Sequence, residues 1–216
     1  IFIVYSTWAA FAGDDYVYGP YVSPLYSPLI RIPGIGVSPA LFILWIPLGF
    51  RLSCYYYRKA IYRAYFWSPP ACAVSDPIRE YRGEAGILRW LPTMHRWFLY
   101  LSISVLGILW FDALAAFDFD GRFGIGLGSL ILLVNVASLS IFTFGCHSLR
   151  SAVGGNQRCF ACSSIGKARY GTWRVVSLLN SRHPLAAWVS LYTVGAADLY
   201  VRLLAMGFLR DPRFFL

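Results

Sequence analysis

The stretch from His95 through RWFLYLSISVLGILWFDALAAF holds roughly 20 apolar residues, the length a helix needs to cross the hydrocarbon core of a bilayer. A second such run, IGLGSLILLVNVASLSIFTFG, follows after a short polar turn. Composition agrees, because 58% hydrophobic and 13% charged residues leave too little polar surface to cover a soluble globule. Its 15 Tyr and 8 Trp suit a chain that meets two membrane–water interfaces, where amphipathic rings settle at headgroup level. The expected fold is an all-α integral membrane protein, a single domain over 1–216 built as a bundle of about five transmembrane helices.

Hydropathy places four complete spans at about 39–64, 95–117, 124–147 and 184–207. Pro47 is expected to kink the first, glycines let the third approach its neighbours, and Pro184 suits the first turn of the fourth. The opening IFIVYSTWAAFA reads as the last turns of a truncated apolar helix over 1–12, with no charged n-region to suggest a signal peptide. Residues 13–38 then form an outer segment, and 65–94 and 148–183 form loops.

Lys and Arg set the orientation. Residues 51–96 hold eight and 150–182 hold six, so fourteen of nineteen share one side, which the positive-inside rule makes cytoplasmic. The net charge of +9 then reflects topology and requires no nucleic acid. The location expected is a bacterial plasma membrane, with the chain multi-pass and its basic loops cytoplasmic. IGKARYGTWRVVSLLN reads as a helix lying along the membrane surface, where it offers cations to acidic lipid or to a soluble partner.

Every Cys and His falls on that same side: Cys54, Cys72, His95, Cys146, His147, Cys159, Cys162 and His183. Thiolates and imidazoles suit an iron–sulfur centre or zinc, and imidazole pairs suit haem. Taken singly, each reads as a small buried hydrophobe or an interfacial imidazole; as a set they point to a metal centre. Cys146 and His147 are about 100° apart on a helix, so both serve one centre only where the helix ends, an ending the following VGG would supply. Disulfides are disfavoured in a reducing compartment.

The strings YSTWAAF, SPLYSP, LWIPLGFR, CYYYRKAIYRAYFWSPPACAV, FGIGL, FGCHSLR, VGG, LLNSRH and DLYVRL together resemble one family, the membrane anchor of actinobacterial, mycobacterial-type succinate dehydrogenase. The resemblance runs from Tyr5 to Phe214. It implies an SdhC-type anchor of complex II, part of an enzyme but not catalytic alone. Its partners would be a flavoprotein subunit that oxidises succinate and an iron–sulfur subunit, in a membrane-lipid setting, with a higher oligomer of the complex left open. The family further implies a membrane-embedded Rieske-type [2Fe-2S] cluster with two Cys and two His ligands, delivering electrons to menaquinone. The metal candidates are Cys54, Cys72, His95, Cys146, His147 and His183. Cys159 and Cys162, although spaced CxxC, fall in a loop that varies within the family. Ser151 departs from the family string HSLRH, where a second His would stand.

Two alternatives stand beside this reading: a haem b anchor using two of His95, His147 and His183, and a redox-inert scaffold or small transporter. For quinone, Trp8, Asp198 and Arg202 are the candidates, since charges inside a span are functional by default. The competing role for Asp198 and Arg202, four apart on one helix face, is a structural ion pair that locks helices together. Asp112 and Asn135 read as packing hydrogen-bonders.

Overall fold

The computed structural model describes residues 2–30, 37–65, 90–155 and 159–215. Its helices are α1 (Phe2–Ala12), α2 (Trp45–Ser53), α3 (Tyr55–Tyr65), α4 (Leu91–Ala115), α5 (Leu127–Phe144), α6 (His147–Gly154), α7 (Ser164–Ser181) and α8 (His183–Ala205). Two small antiparallel sheets accompany them: β1 (Val17–Tyr18) with β2 (Tyr21–Val22), and β3 (Asp118–Phe119), β4 (Arg122–Gly126) and β5 (Arg213–Phe215) in that order. The expectation of a purely helical chain is corrected to that extent.

Among the described residues, α4 and α5 are the helices long and apolar enough to cross a membrane. The 25 residues of α4 extend for about 38 Å. Both helices are apolar all round. Trp97, Phe111 and Leu114 on α4 and Leu130, Val134 and Ile141 on α5 face outward while other apolar side chains pack inward, a pattern lipid accepts and water does not. α5 packs along α8 and α4, and α2 packs on α4. Leu106, Ala113, Leu132, Val136, Ala197 and Val201 form the core between them.

Local chemistry explains where the helices depart from the expected spans. The span expected at 39–64 is segmented: a 3-10 turn covers Pro39–Phe42, α2 runs straight through Pro47, and the chain leaves the helical region at Cys54. Pro47 falls in the first turn of α2, where its missing N–H costs no hydrogen bond. α4 starts four residues before the expected His95, because Pro92 suits its first turn. α5 begins three residues late, since 124–126 belong to β4, and stops at Gly145, ahead of the VGG expected to end it. VGG instead closes α6 at Gly155. The loop expected at 148–183 is largely helical, α7 covering the basic amphipathic string, whereas residues 66–89 of the loop expected at 65–94 lie outside the described residues.

At the end of the bundle away from the cysteines, the polar turn after α4 is a hairpin. Asp120 and Gly121, both with positive φ (54° and 82°), make a two-residue loop whose twist matches the flanking strands. β5 pairs with β4 and brings Asp211 over the start of α5. Asp211 accepts from Tyr21 Oη at 2.5 Å, Tyr200 Oη at 2.8 Å, Gly128 N at 3.0 Å and Arg213 Nε at 3.0 Å. Burial alone would push its carboxyl up, but these donors outweigh burial and hold it below the usual carboxylate range. Burial first, then the bond to Asp211, pushes Tyr21 up to about 12, so it remains a neutral donor. Tyr21 lies so close to β4 and α5 that a Cβ at Gly126 would come within 2.0 Å of its hydroxyl, and one at Gly128 within 2.6 Å of its ring.

Asp198 and Arg202 tie α8 to α1 and the outer segment. Both are buried, and Arg202 Nε donates to Asp198 Oδ2 at 2.9 Å. Tyr5 Oη adds a second donor at 2.5 Å, and the Ser23 hydroxyl bonds the other carboxylate oxygen. The remaining guanidinium nitrogens donate to the carbonyls of Asp14 at 2.8 Å and Ala9 at 3.1 Å. The cation also lies 5.2 Å from the centre of the Trp8 ring and 5.5 Å from that of Tyr26. Asp112 is likewise a packing hydrogen-bonder, accepting from Ser27. Asn135 is buried but leaves its Oδ1 without a hydrogen-bond partner.

Two outcomes follow from these clusters. Asp211 stabilises the fold above its ordinary titration range, and that contribution is lost as pH falls through its depressed folded-state value. The melting temperature of the purified protein should therefore drop on acidification from pH 6 to 3, with a smaller drop in Asp211→Asn. Arg202→Met, which strands a buried carboxylate, should cost roughly 3–5 kcal/mol in thermal or denaturant unfolding. Asp198→Asn combined with Arg202→Met should cost less than Arg202→Met alone.

Candidate metal centre

The centre begins with two breaks in helical structure. Cys54 and Cys146 adopt extended backbone, φ −64°, ψ 130° and φ −67°, ψ 140°, each between two helices. Each carbonyl then opens the next helix, Cys54 O accepting from Arg58 N and Cys146 O from Arg150 N, both at 3.0 Å. The cysteines are thus the N-caps of α3 and α6. Cys146 Sγ accepts from Ser148 N at 3.3 Å, as a capping oxygen would. The carbonyl freed at Gly145 is satisfied by Asn180 Nδ2 at 2.7 Å, so the break leaves no orphaned acceptor there.

Two histidines come from the starts of two other helices. His95 lies in the first turns of α4, and His183 opens α8. His95 Nε2 is 3.0 Å from Cys146 Sγ, and His183 Nε2 is 3.6 Å from Cys54 Sγ. All four side chains are buried, none more than 7% exposed. They form two thiol–imidazole pairs; among the described residues, no three His, Cys, Asp or Glu side chains converge on a single-ion site.

Aromatic stacking fixes both imidazoles. Phe50 stacks on His95 with ring centres 4.7 Å apart, Phe142 stacks on His183 at 4.9 Å, and the two phenyls meet edge to face at 5.5 Å. Ser53 assigns the tautomer of His95. Its hydroxyl donates its one proton to Gly49 O at 2.6 Å, so it accepts from His95 Nδ1–H across 3.0 Å, which leaves Nε2 with a lone pair facing Cys146. His183 Nδ1, also buried, has no hydrogen-bond partner.

The charges around the centre are positive. Arg51 and Arg58 both act electrostatically on Cys54, Arg58 on His95 and Arg51 on His183. The described aspartates lie elsewhere, at Asp14 and Asp15 after α1, Asp112 near the end of α4, Asp118 and Asp120 in the hairpin, Asp198 in the later half of α8 and Asp211 before β5.

Of the six metal candidates, four make up these two pairs: Cys54 with His183, and Cys146 with His95. His147 is exposed at the first position of α6, within electrostatic reach of His183 but outside both pairs, and Cys72 lies outside the described residues. Cys159 and Cys162 are joined in a disulfide, contrary to the expectation that disulfides would be absent. The quinone candidates cluster at the other end. Both oxygens of Asp198 and all three nitrogens of Arg202 are engaged within the protein, which favours the locking role weighed for this pair, while Trp8 is 51% exposed. Phe50, Ser53 and Phe142 escaped the sequence reading because nothing in their spacing marks a phenyl as an imidazole platform or a serine as its acceptor.

Residues 1–207 match the family described as actinobacterial succinate dehydrogenase subunit SdhC. No curated protein matches the chain. Among solved structures it is similar to a chain of the "Mycobacterium smegmatis Sdh1 complex in the apo form", with 37% identity and a TM-score of 0.88, covering 100% of this chain and 86% of that one. With the family match spanning nearly its whole length, this chain belongs to the actinobacterial succinate dehydrogenase subunit SdhC family, the membrane anchors of that complex.

Proposed function

We propose that this anchor carries electrons from an iron–sulfur subunit to menaquinone through a Rieske-type [2Fe-2S] cluster held by Cys54, Cys146, His95 and His183. The observation that carries this reading is a set of two buried thiol–imidazole pairs, drawn from four separate elements and joined through the Phe50–Phe142 contact. Two thiolates and two neutral imidazoles are the donor set of such a cluster, which supplies one-electron transfer at a higher potential than an all-cysteine cluster does.

The chain's own residues prepare that donor set. The helix start at Cys146 presents a backbone N–H to its sulfur, a donor that a metal-bound thiolate would keep. Ser53 accepts from His95 Nδ1 and so turns Nε2, the nitrogen that would bind, toward Cys146, and the Phe50 and Phe142 rings stop both imidazoles from turning. Burial excludes water from all four donors.

In the same reading, α1, the stretch from Pro39 through α2, α4, α5 and α8 are five spans, and the basic α6–α7 region lies on the cytoplasmic side. That side would receive the flavoprotein and iron–sulfur subunits, since Lys and Arg dominate it.

EPR of the dithionite-reduced complex tests the assignment. The expected spectrum has an average g below that of plant-type clusters, with two irons per chain beyond those of the partner subunits. Cys54→Ser, Cys146→Ser, His95→Ala and His183→Ala should each abolish it, whereas His147→Ala should retain it. A Soret band that vanishes in His95→Ala with His183→Ala would assign haem b instead, and a signal that survives that double substitution would rule out these ligands.

A further inference from the structure

Arg51, in the last turn of α2, has only neutral hydrogen-bond partners. Its guanidinium bonds the Tyr57 hydroxyl, the Ala187 carbonyl at 3.1 Å and Ser190 Oγ at 3.0 Å. Its central carbon lies 4.5 Å from the middle of the Phe142 ring, the same ring that stacks on His183. One phenyl therefore touches both the cation and a candidate ligand, and Cys54 follows only three residues later. No carboxylate among the described residues pairs with Arg51, and the nearest aspartate on the facing helix, Asp198, is already bound by Arg202, Tyr5 and Ser23.

This guanidinium is half-buried and meets no counter-ion among the described residues, and three neutral anchors hold it in place. Such a site is complete only when negative charge arises nearby. The cluster reading supplies that charge. Two ferric ions, two bridging sulfides, two thiolates and two neutral imidazoles carry no net charge together. One electron, delivered by an iron–sulfur donor of lower potential, converts one ferric ion to ferrous and leaves a single net negative charge, which departs with the electron to quinone. Arginine stays protonated throughout, so its attraction is added in the reduced state alone.

Resting on the cluster reading, we propose that Arg51 is the counter-charge of the reduced centre and raises its reduction potential. It is a positioning residue, held beside the ligands rather than bound to the metal. Tyr57 and Ser190 serve to aim it, and Tyr57 is itself fastened by its hydroxyl to Ala187 O at 2.8 Å.

Redox titration of the cluster EPR signal in the assembled complex provides the test. Arg51→Gln should lower the midpoint potential by about 59 mV, a tenfold change in the reduction equilibrium of a one-electron couple. Arg51→Lys should restore most of it. Ser190→Asp, which keeps the arginine but neutralises it with a carboxylate at bonding distance, should lower the potential as well, while Ser190→Asn should not. If Arg51→Gln fails to retain the cluster, the Ser190 pair decides. Potentials unchanged in Arg51→Gln and Ser190→Asp would overturn the assignment, as would a raised KM for quinone at unchanged potential, which would make Arg51 a quinone ligand. Absence of the signal from the unsubstituted complex would instead overturn the cluster reading itself.

Discussion

Two residues that refuse the helical conformation govern what this bundle can do. A helix passing without interruption through position 54 or 146 would direct the cysteine along its own flank. By turning extended there, each cysteine starts a new helix, and the capping geometry aims its sulfur toward a histidine on a different element. The break is affordable inside an apolar bundle because the exposed backbone is satisfied: Arg51 O takes the N–H of Cys54, Thr143 O that of Cys146, and Asn180 the carbonyl of Gly145.

α8 connects the two polar clusters of the molecule. His183 stands at its first residue and the Asp198–Arg202 pair begins fifteen positions later, about 22 Å along the axis. One cluster is saturated. The ion pair, with Tyr5, Ser23 and the carbonyls of Ala9 and Asp14, has no unused donor or acceptor of consequence, so it fixes where α8 sits against α1. The other retains an unpartnered nitrogen on His183 and an arginine without a carboxylate, which is the profile of a site built around something further.

Much of this was legible in the sequence, and the limits are physical. Apolar runs located α4, α5 and α8 within a few residues, because length and hydropathy are local properties. The gathering of Cys and His was visible as a set, but choosing among its members was not. Which histidine pairs with a cysteine depends on a helix interruption at Cys146 that hydropathy does not register, and Cys–His spacings of 51 and 129 residues carry no periodic signal. The segmentation of the first span was missed for a related reason: proline marks a break by rule, yet Pro47 sits where a first helical turn tolerates it, and the break fell at a cysteine. The hairpin had a readable sign in Asp120–Gly121, whereas its pairing with β5 joins residues nearly ninety positions apart.

The approach of Tyr21 to Gly126 and Gly128 has a consequence for how sequences in this family can drift. A methyl group at Gly128 would run into the phenol ring and one at Gly126 into its hydroxyl and Asp211 Oδ2, and retracting the ring would withdraw the hydroxyl from Asp211. The three positions therefore cannot vary one at a time. An alanine at 126 becomes tolerable only alongside a smaller residue at 21, and that residue, lacking a phenolic donor, relaxes the demand for aspartate at 211. Changes across these four sites should be inherited as a block, linking the outer segment, the start of α5 and the C-terminal strand in evolutionary time as they are linked in space.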